Sequence, residues 1–202
     1  MMQSIYNLSI EELKQYFIDK GDKPYRATQI FEWLYRFEVR SFSEMTNQKK
    51  SIISLLDEEY DLDLLTLKER QVSSDGTEKF LFELNDGHFI ETVLMNHVYG
   101  NSLCVTTQVG CNMGCVFCAS GMYKKVRNLE TSEIVLQIMS VQKLTGKKIT
   151  HVVIMGIGEP FDNYDNVIRF MKIINEPKGL EIGARHIRVS TCGLVRKIKE
   201  FS

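Results

Sequence analysis

From residue 101 onward the sequence alternates between short apolar runs and longer amphipathic ones, and no other feature restricts the fold as much. Leu103-Cys104-Val105-Thr106-Thr107-Gln108-Val109, residues 149–155 and residues 186–190 have the length and β-branched content of strands. Residues 131–144, residues 163–175 and those from Leu194 onward space their apolar side chains as helices do. Strands separated by helices of about 10 to 15 residues imply βα units and a parallel sheet. An α/β fold is therefore expected, with its ligands at the carboxyl ends of the strands.

The first hundred residues follow other rules. Ser9 and Glu12 form a capping-box start for a helix that should stop at Gly21. A second helix is expected over residues 25–37, with Ile30, Leu34 and Phe37 at helical spacing, and a third over residues 47–60. Residues 78–95 then change period, and Asn85-Asp86-Gly87 between two apolar runs predicts a β-hairpin. The expected organisation is a helical accessory domain over residues 1–72, a hairpin connection over 73–96 and a βα core over 97–202.

With 44% hydrophobic and 25% charged residues, the composition excludes a disordered or fibrous chain. No apolar stretch approaches the ~18 residues that cross a bilayer, and the amino terminus has no basic region followed by an apolar one. A cytoplasmic location without membrane contact is expected. The net charge of -1 conceals an asymmetry: residues 1–100 hold 11 Lys/Arg against 18 Asp/Glu, whereas residues 101–202 hold 14 against 8. The basic second half is compatible with nucleic-acid contact.

Four of the five cysteines, Cys104, Cys111, Cys115 and Cys118, fall within fifteen residues, with Cys192 apart. In a cytosolic chain such bunching points to metal binding or thiol chemistry rather than to a disulfide framework. Cys111-Asn-Met-Gly-Cys115-Val-Phe-Cys118 directly follows a strand candidate. Three thiolates this close can hold three irons of a [4Fe-4S] cubane and leave the fourth iron open to a ligand. The alternative is zinc, which needs four ligands; a zinc-stabilised RNA-binding module would use Cys104 with Cys111, Cys115 and Cys118. Downstream, the apolar run ends in Gly156-Ile157-Gly158-Glu159-Pro160. Its glycines let the backbone approach a small ligand, and Glu159 can accept hydrogen bonds from an ammonium group.

The cysteine spacing, with Phe117 before the third cysteine, resembles the radical S-adenosylmethionine (SAM) enzymes, and the Gly-x-Gly-Glu-Pro turn resembles their SAM-binding element. More closely, the chain resembles the dual-specificity adenine C2 methyltransferases of 23S ribosomal RNA and transfer RNA. The matching segments are residues 25–35, Ile90-Glu91-Thr92-Val93, Cys104, Gln108-Val109-Gly110-Cys111, residues 155–166 and residues 183–191. A sister family methylates adenine C8 and stands as an alternative, but Gln-Val-Gly before Cys111 and Gly183-Ala184-Arg185-His186 look like the C2 type.

The resemblance implies a partial radical SAM (βα) barrel behind an N-terminal helical accessory domain and β-hairpin. It implies Cys111, Cys115 and Cys118 as cluster ligands, Gly158, Glu159 and Ser190 as SAM contacts, Glu91 as proton acceptor and Cys104 as the thiol that helps release the RNA adduct. It also implies an electron donor for the cluster. In this family a cysteine near the carboxyl terminus carries the methyl group as methylcysteine. No cysteine follows Cys192, and three βα units are visible where the family has six. This polypeptide alone is therefore not expected to complete methyl transfer, and its barrel sheet is expected to show an unpaired edge. Lys124, Lys125 and Arg127 are candidate phosphate contacts, while Cys192 and His186 read as structural residues.

Overall fold

The computed structural model describes residues 2–201. After β1 (Gln3–Ser4) and a 3-10 turn come three helices, α1 (Ile10–Asp19), α2 (Tyr25–Tyr35) and α3 (Lys50–Glu59). The capping box at α1 forms as expected: Ser9 Oγ accepts from Glu12 N, and the Glu12 carboxylate accepts from Ser9 N at 2.8 Å. Ile10, Leu13 and Phe17 of α1 are buried with Ile30, Phe31 and Leu34 of α2. β2 (Tyr60–Asp61) pairs in parallel with β1 and ties the amino terminus to the end of α3.

Four strands follow: β3 (Thr66–Val72), β4 (Glu78–Glu83), β5 (Phe89–His97) and β6 (Gly100–Val105). Short β7 (Gln108–Val109) and β8 (Arg127–Asn128) flank the cysteine loop. α4 (Thr131–Thr145), β9 (Ile149–Ile154), α5 (Tyr164–Asn175), β10 (Ile187–Val189) and α6 (Val195–Phe201) complete the α/β part. Among the described residues no helix is long and apolar enough to cross a membrane.

One six-stranded sheet runs in the order β10-β9-β6-β5-β4-β3. β10, β9 and β6 are parallel, and β6 through β3 are antiparallel. The predicted hairpin is thus built into the sheet of the βα units: Leu103 lies opposite Leu94 on one side and Val152 on the other. Residues 66–72, at the end of the segment read as helical, form β3. Lys68, Glu69, Arg70 and Gln71 give that strand no apolar alternation, and it lies almost wholly exposed at the sheet edge, where charge discourages further pairing. Short β10 forms the opposite edge.

The two faces of the sheet differ. Phe80, Phe82, Ile90, Leu94, Leu103, Val105, Val152 and Ile154 are fully buried on one face. That face is the core, and α4, buried at every position from Ile134 to Gln142, belongs to it. Asn7 holds the start of α4 by accepting from Ser132 N at 2.7 Å and donating to Glu130 Oε2 at 2.9 Å. The alternate residues Leu81, Glu91, Val93, Cys104 and Val153 line the second face and remain half-buried.

Candidate active site at the carboxyl ends of the parallel strands

The carboxyl ends of β6, β9 and β10 meet because glycines let their backbones close. Gly156 N donates to Val105 O at 3.0 Å, and a Cβ on Gly156 would stand only 2.6 Å from that oxygen. Gly158 has φ 103°, and its missing Cβ would fall 2.6 Å from Gln108 Cβ. Gln108 is the hub beneath this turn. Its Oε1 accepts from Glu159 N at 2.9 Å, and its Nε2 donates to Asn128 Oδ1 at 2.8 Å and to Asp162 Oδ2 at 2.9 Å. Lys125 Nζ lies 2.7 Å from the same Asp162 oxygen. Although burial opposes it, Lys125 and Gln108 hold the Asp162 carboxyl below the usual carboxylate range.

Glu159 is only 3% exposed. Its Oε1 accepts from Phe161 N at 2.9 Å and Thr191 Oγ1 at 2.7 Å, and its Oε2 from Cys192 N at 2.7 Å. Expected from sequence to face an ammonium, this carboxylate braces the β9 turn against the segment after β10. The Cys192 thiol also lies against this carboxylate, so its acceptor directions are largely taken up within the protein. Exposed Ser190 extends the β10 ladder, donating its N–H to Ile154 O at 3.1 Å.

The cysteine loop is pinched at its neck. Val126 N donates to Val109 O at 2.8 Å, Cys111 N to Tyr123 O at 3.0 Å and Lys125 N to Asn112 Oδ1 at 3.0 Å. Gly110, at φ 73°, is required there, since a Cβ would stand 2.3 Å from Lys124 O. Within the loop Cys118 N donates to Cys115 O at 3.0 Å. Cys111 and Cys115 are half-buried, Cys118 is exposed, and all are free thiols. The Ser120 hydroxyl and the Ser120 and Gly121 amides lower the Cys118 thiol. Among the described residues no three Cys, His, Asp or Glu side chains already converge as a metal-binding set. Three soft sulfur donors on one pinched loop, beside backbone bared by Gly156 and Gly158, nonetheless match what a cluster with one open iron requires.

Glu91 and Cys104 project from adjacent strands onto the half-buried face. Cys104 is opposite Val93, two residues from Glu91, which makes the two diagonal neighbours, ~7–8 Å apart by sheet geometry. Lys79 Nζ sits 3.0 Å from Glu91 Oε1. Burial pushes the Cys104 thiol up, against a smaller opposing effect from the Met155 backbone.

Several side chains behave otherwise than their sequence positions suggest. Arg127 is engaged by Asp86 at 2.6 Å and Glu133 at 2.7 Å, and Lys125 by Asp162, so of the three candidate phosphate contacts only Lys124 is free. Cys192, read as a buried structural residue, is exposed. Its thiol is pushed up to about 11 by desolvation, then by Glu159 and the neighbouring Cys115. Gln108, Asp162 and Lys125 carry no sequence signal of a shared network, because 54 residues separate Gln108 from Asp162.

Residues 3–61 match the family model described as the ribosomal RNA large subunit methyltransferase N-terminal domain, and residues 105–201 match that of the radical SAM superfamily. Proteins named probable dual-specificity RNA methyltransferase RlmN from Streptococcus mutans and Geobacillus kaustophilus are 56% and 53% identical over all of this chain. The Bacillus subtilis protein of the same name is 56% identical over 98% of it. A crystal structure of a radical SAM methyltransferase from Sphaerobacter thermophilus superposes with a TM-score of 0.89 at 39% identity, covering 98% of this chain and 60% of that one. The chain spans 56% to 57% of the length of these three curated relatives. By sequence and by structure, the chain joins a segment of the ribosomal RNA large subunit methyltransferase N-terminal type to a radical SAM segment, and it is similar over its whole length to proteins named dual-specificity RNA methyltransferase.

Proposed function

We propose that this chain forms the cofactor-binding part of a cytoplasmic methyltransferase that transfers a methyl group to C2 of adenine in 23S ribosomal RNA and transfer RNA. The observation that carries this reading is the pinched loop of three free thiols at the end of β6, set against the Gly156–Glu159 turn at the end of β9. Cys111, Cys115 and Cys118 would hold a [4Fe-4S] cluster. When bound and reduced by an electron-donor partner, the cluster supplies radical chemistry to SAM, which an electron-poor carbon such as adenine C2 requires.

The chain's own residues bind, orient and move protons. Gly156 and Gly158 let the turn pack against Val105 and Gln108 beside the amino-acid end of SAM, Glu159 offers its negative charge to the ammonium, and Ser190 lies exposed at the end of β10. Glu91, oriented by Lys79, would accept the proton lost from the base; Cys104, its diagonal neighbour, would form a disulfide with the methyl-carrying cysteine of the whole enzyme as the sulfur–carbon bond to the base breaks, the electron pair of that bond taking up a proton to complete the methyl group.

Anaerobic reconstitution with iron and sulfide tests the reading. The chain should turn brown with cluster absorption, Cys111→Ala, Cys115→Ala and Cys118→Ala should each abolish the colour, and Cys104→Ala should keep it. Stoichiometric, tightly held zinc with no cluster absorption would instead identify the zinc-stabilised module.

A further inference from the structure

The end of the sheet opposite the cofactor turn carries a feature that methyl transfer does not use. β5 turns into β6 through Val98 and Tyr99, with His97 paired to Gly100. Gly100 lets β9 start close by, since a Cβ there would stand 2.2 Å from Thr150 Oγ1. The Thr150 hydroxyl meets Asn101 N at 3.1 Å and His151 Nδ1 at 2.9 Å, which fixes that imidazole. His97 stacks on Tyr99 with centroids 4.8 Å apart and planes within 10°. Tyr99 meets His151 edge to face at 5.3 Å, and His151 stacks on His186 at 4.3 Å. Three of the four histidines in the chain thus join one ladder of rings, although they come from three different strands or strand approaches.

This ladder is not core. Tyr99 is 68% exposed, Val98 at its tip is fully exposed, and His97 and His186 are exposed. Beside it stand Arg185 and Arg188, both exposed, their guanidinium groups without a hydrogen bond or ion pair among the described residues. Desolvation, then His186, Arg188 and His97, pull the pKa of His151 down, which favours the neutral ring. Two stacked ring pairs set edge to face, with their outer faces open and free guanidinium groups beside them, are what unpaired bases and their phosphates recognise; a duplex hides its base faces.

We infer that His97, Tyr99, His151 and His186, with Arg185 and Arg188, form a stacking surface for unpaired RNA bases, away from the cofactor site. The inference rests on the RNA-modifying reading above and adds where and how single-stranded RNA is held.

Fluorescence anisotropy with labelled oligoadenylate, a matched duplex and an RNA stem-loop, each titrated with the whole 202-residue chain, tests it. Tyr99→Ala and His186→Ala should each weaken oligoadenylate binding about tenfold, while Tyr99→Phe retains it and duplex binding stays unchanged. Arg185→Ala with Arg188→Ala should flatten the salt dependence by about 1.4 in log–log slope, two phosphates at ~0.7 each. Circular dichroism matching the wild type keeps misfolding out of the comparison. Unchanged oligoadenylate affinity in the ring variants overturns the ladder and leaves the RNA reading standing. So does wild-type binding of the stem-loop without oligoadenylate. Wild-type binding of none of the three RNAs overturns both. Loss of self-association in Tyr99→Ala with RNA binding intact would make this face a protein contact and overturn the inference.

Discussion

Replacing Glu159 by Gln tests whether this carboxylate is a structural brace. The side chain is 3% exposed and receives hydrogen bonds of 2.9, 2.7 and 2.7 Å from Phe161 N, Thr191 Oγ1 and Cys192 N. In Glu159→Gln the retained carbonyl oxygen can serve Phe161 and Thr191 as a neutral acceptor, but the new amide faces the Cys192 N–H donor to donor. Hydrogen bonds to a charged acceptor contribute about 1.5–3 kcal/mol each, against about 0.5–1.5 for neutral ones, and a buried donor left unpaired costs about 1–3. Losing one bond and weakening two amounts to about 3 kcal/mol. With a urea m-value of about 2 kcal/mol/M, the unfolding midpoint should fall by about 1.5 M. Hydrogen exchange should speed up first at the amides of Phe161 and Cys192, because the brace joins the β9 turn to the segment after β10. A shift below about 0.3 M, with both amides as protected as in the wild type, would show that Glu159 is not holding the two strand ends together.

Two further outcomes are expected. Gly158→Ala places a Cβ at φ 103° and 2.6 Å from Gln108 Cβ, which should cost about 1–2 kcal/mol in backbone strain and about 1–3 in overpacking, read as a lower melting temperature. A neutral Gly158→Ala would contradict the close approach. Arg127, then the His88 amide, hold the Asp86 carboxyl below its usual range, with burial opposing. A lowered folded pKa means that this contribution is complete above the unfolded value of about 3.9 and is lost as pH falls through it toward the folded one. The stability gap between wild type and Asp86→Asn should therefore narrow below about pH 4, and a constant gap between neutral and strongly acidic pH would refute the pairing.

Much of the fold was legible because local and tertiary demands agree. α4 and β9 are read from periodicity, and the α1 capping box from two residues. β3 escaped because an edge strand needs no apolar face, and Lys68-Glu69-Arg70-Gln71 carries none. The three cysteines of the loop stand out by spacing alone, whereas Glu91 is an ordinary half-exposed strand residue that only the family resemblance singles out. The direction of the Glu159 side chain was hidden because its donors at 191 and 192 lie a whole βα unit away. The histidine ladder was hidden for a similar reason: only strand register brings residues 97, 151 and 186 together. Lys125 and Arg127 looked like free cations because Asp162 and Asp86 are 37 and 41 residues distant; Glu133, six residues from Arg127, was the one partner within reach of a sequence reading.

The unbroken ladder from β5 into β6 has an electrostatic consequence. The acidic and basic halves of the sequence meet at this pair of strands, so a charge difference that a flexible linker would let reorient is fixed in a direction across the sheet. A polyanion approaching in solution then feels a torque as well as a net force. It is turned toward the basic half before any contact forms, an orienting field that should fade as ionic strength rises.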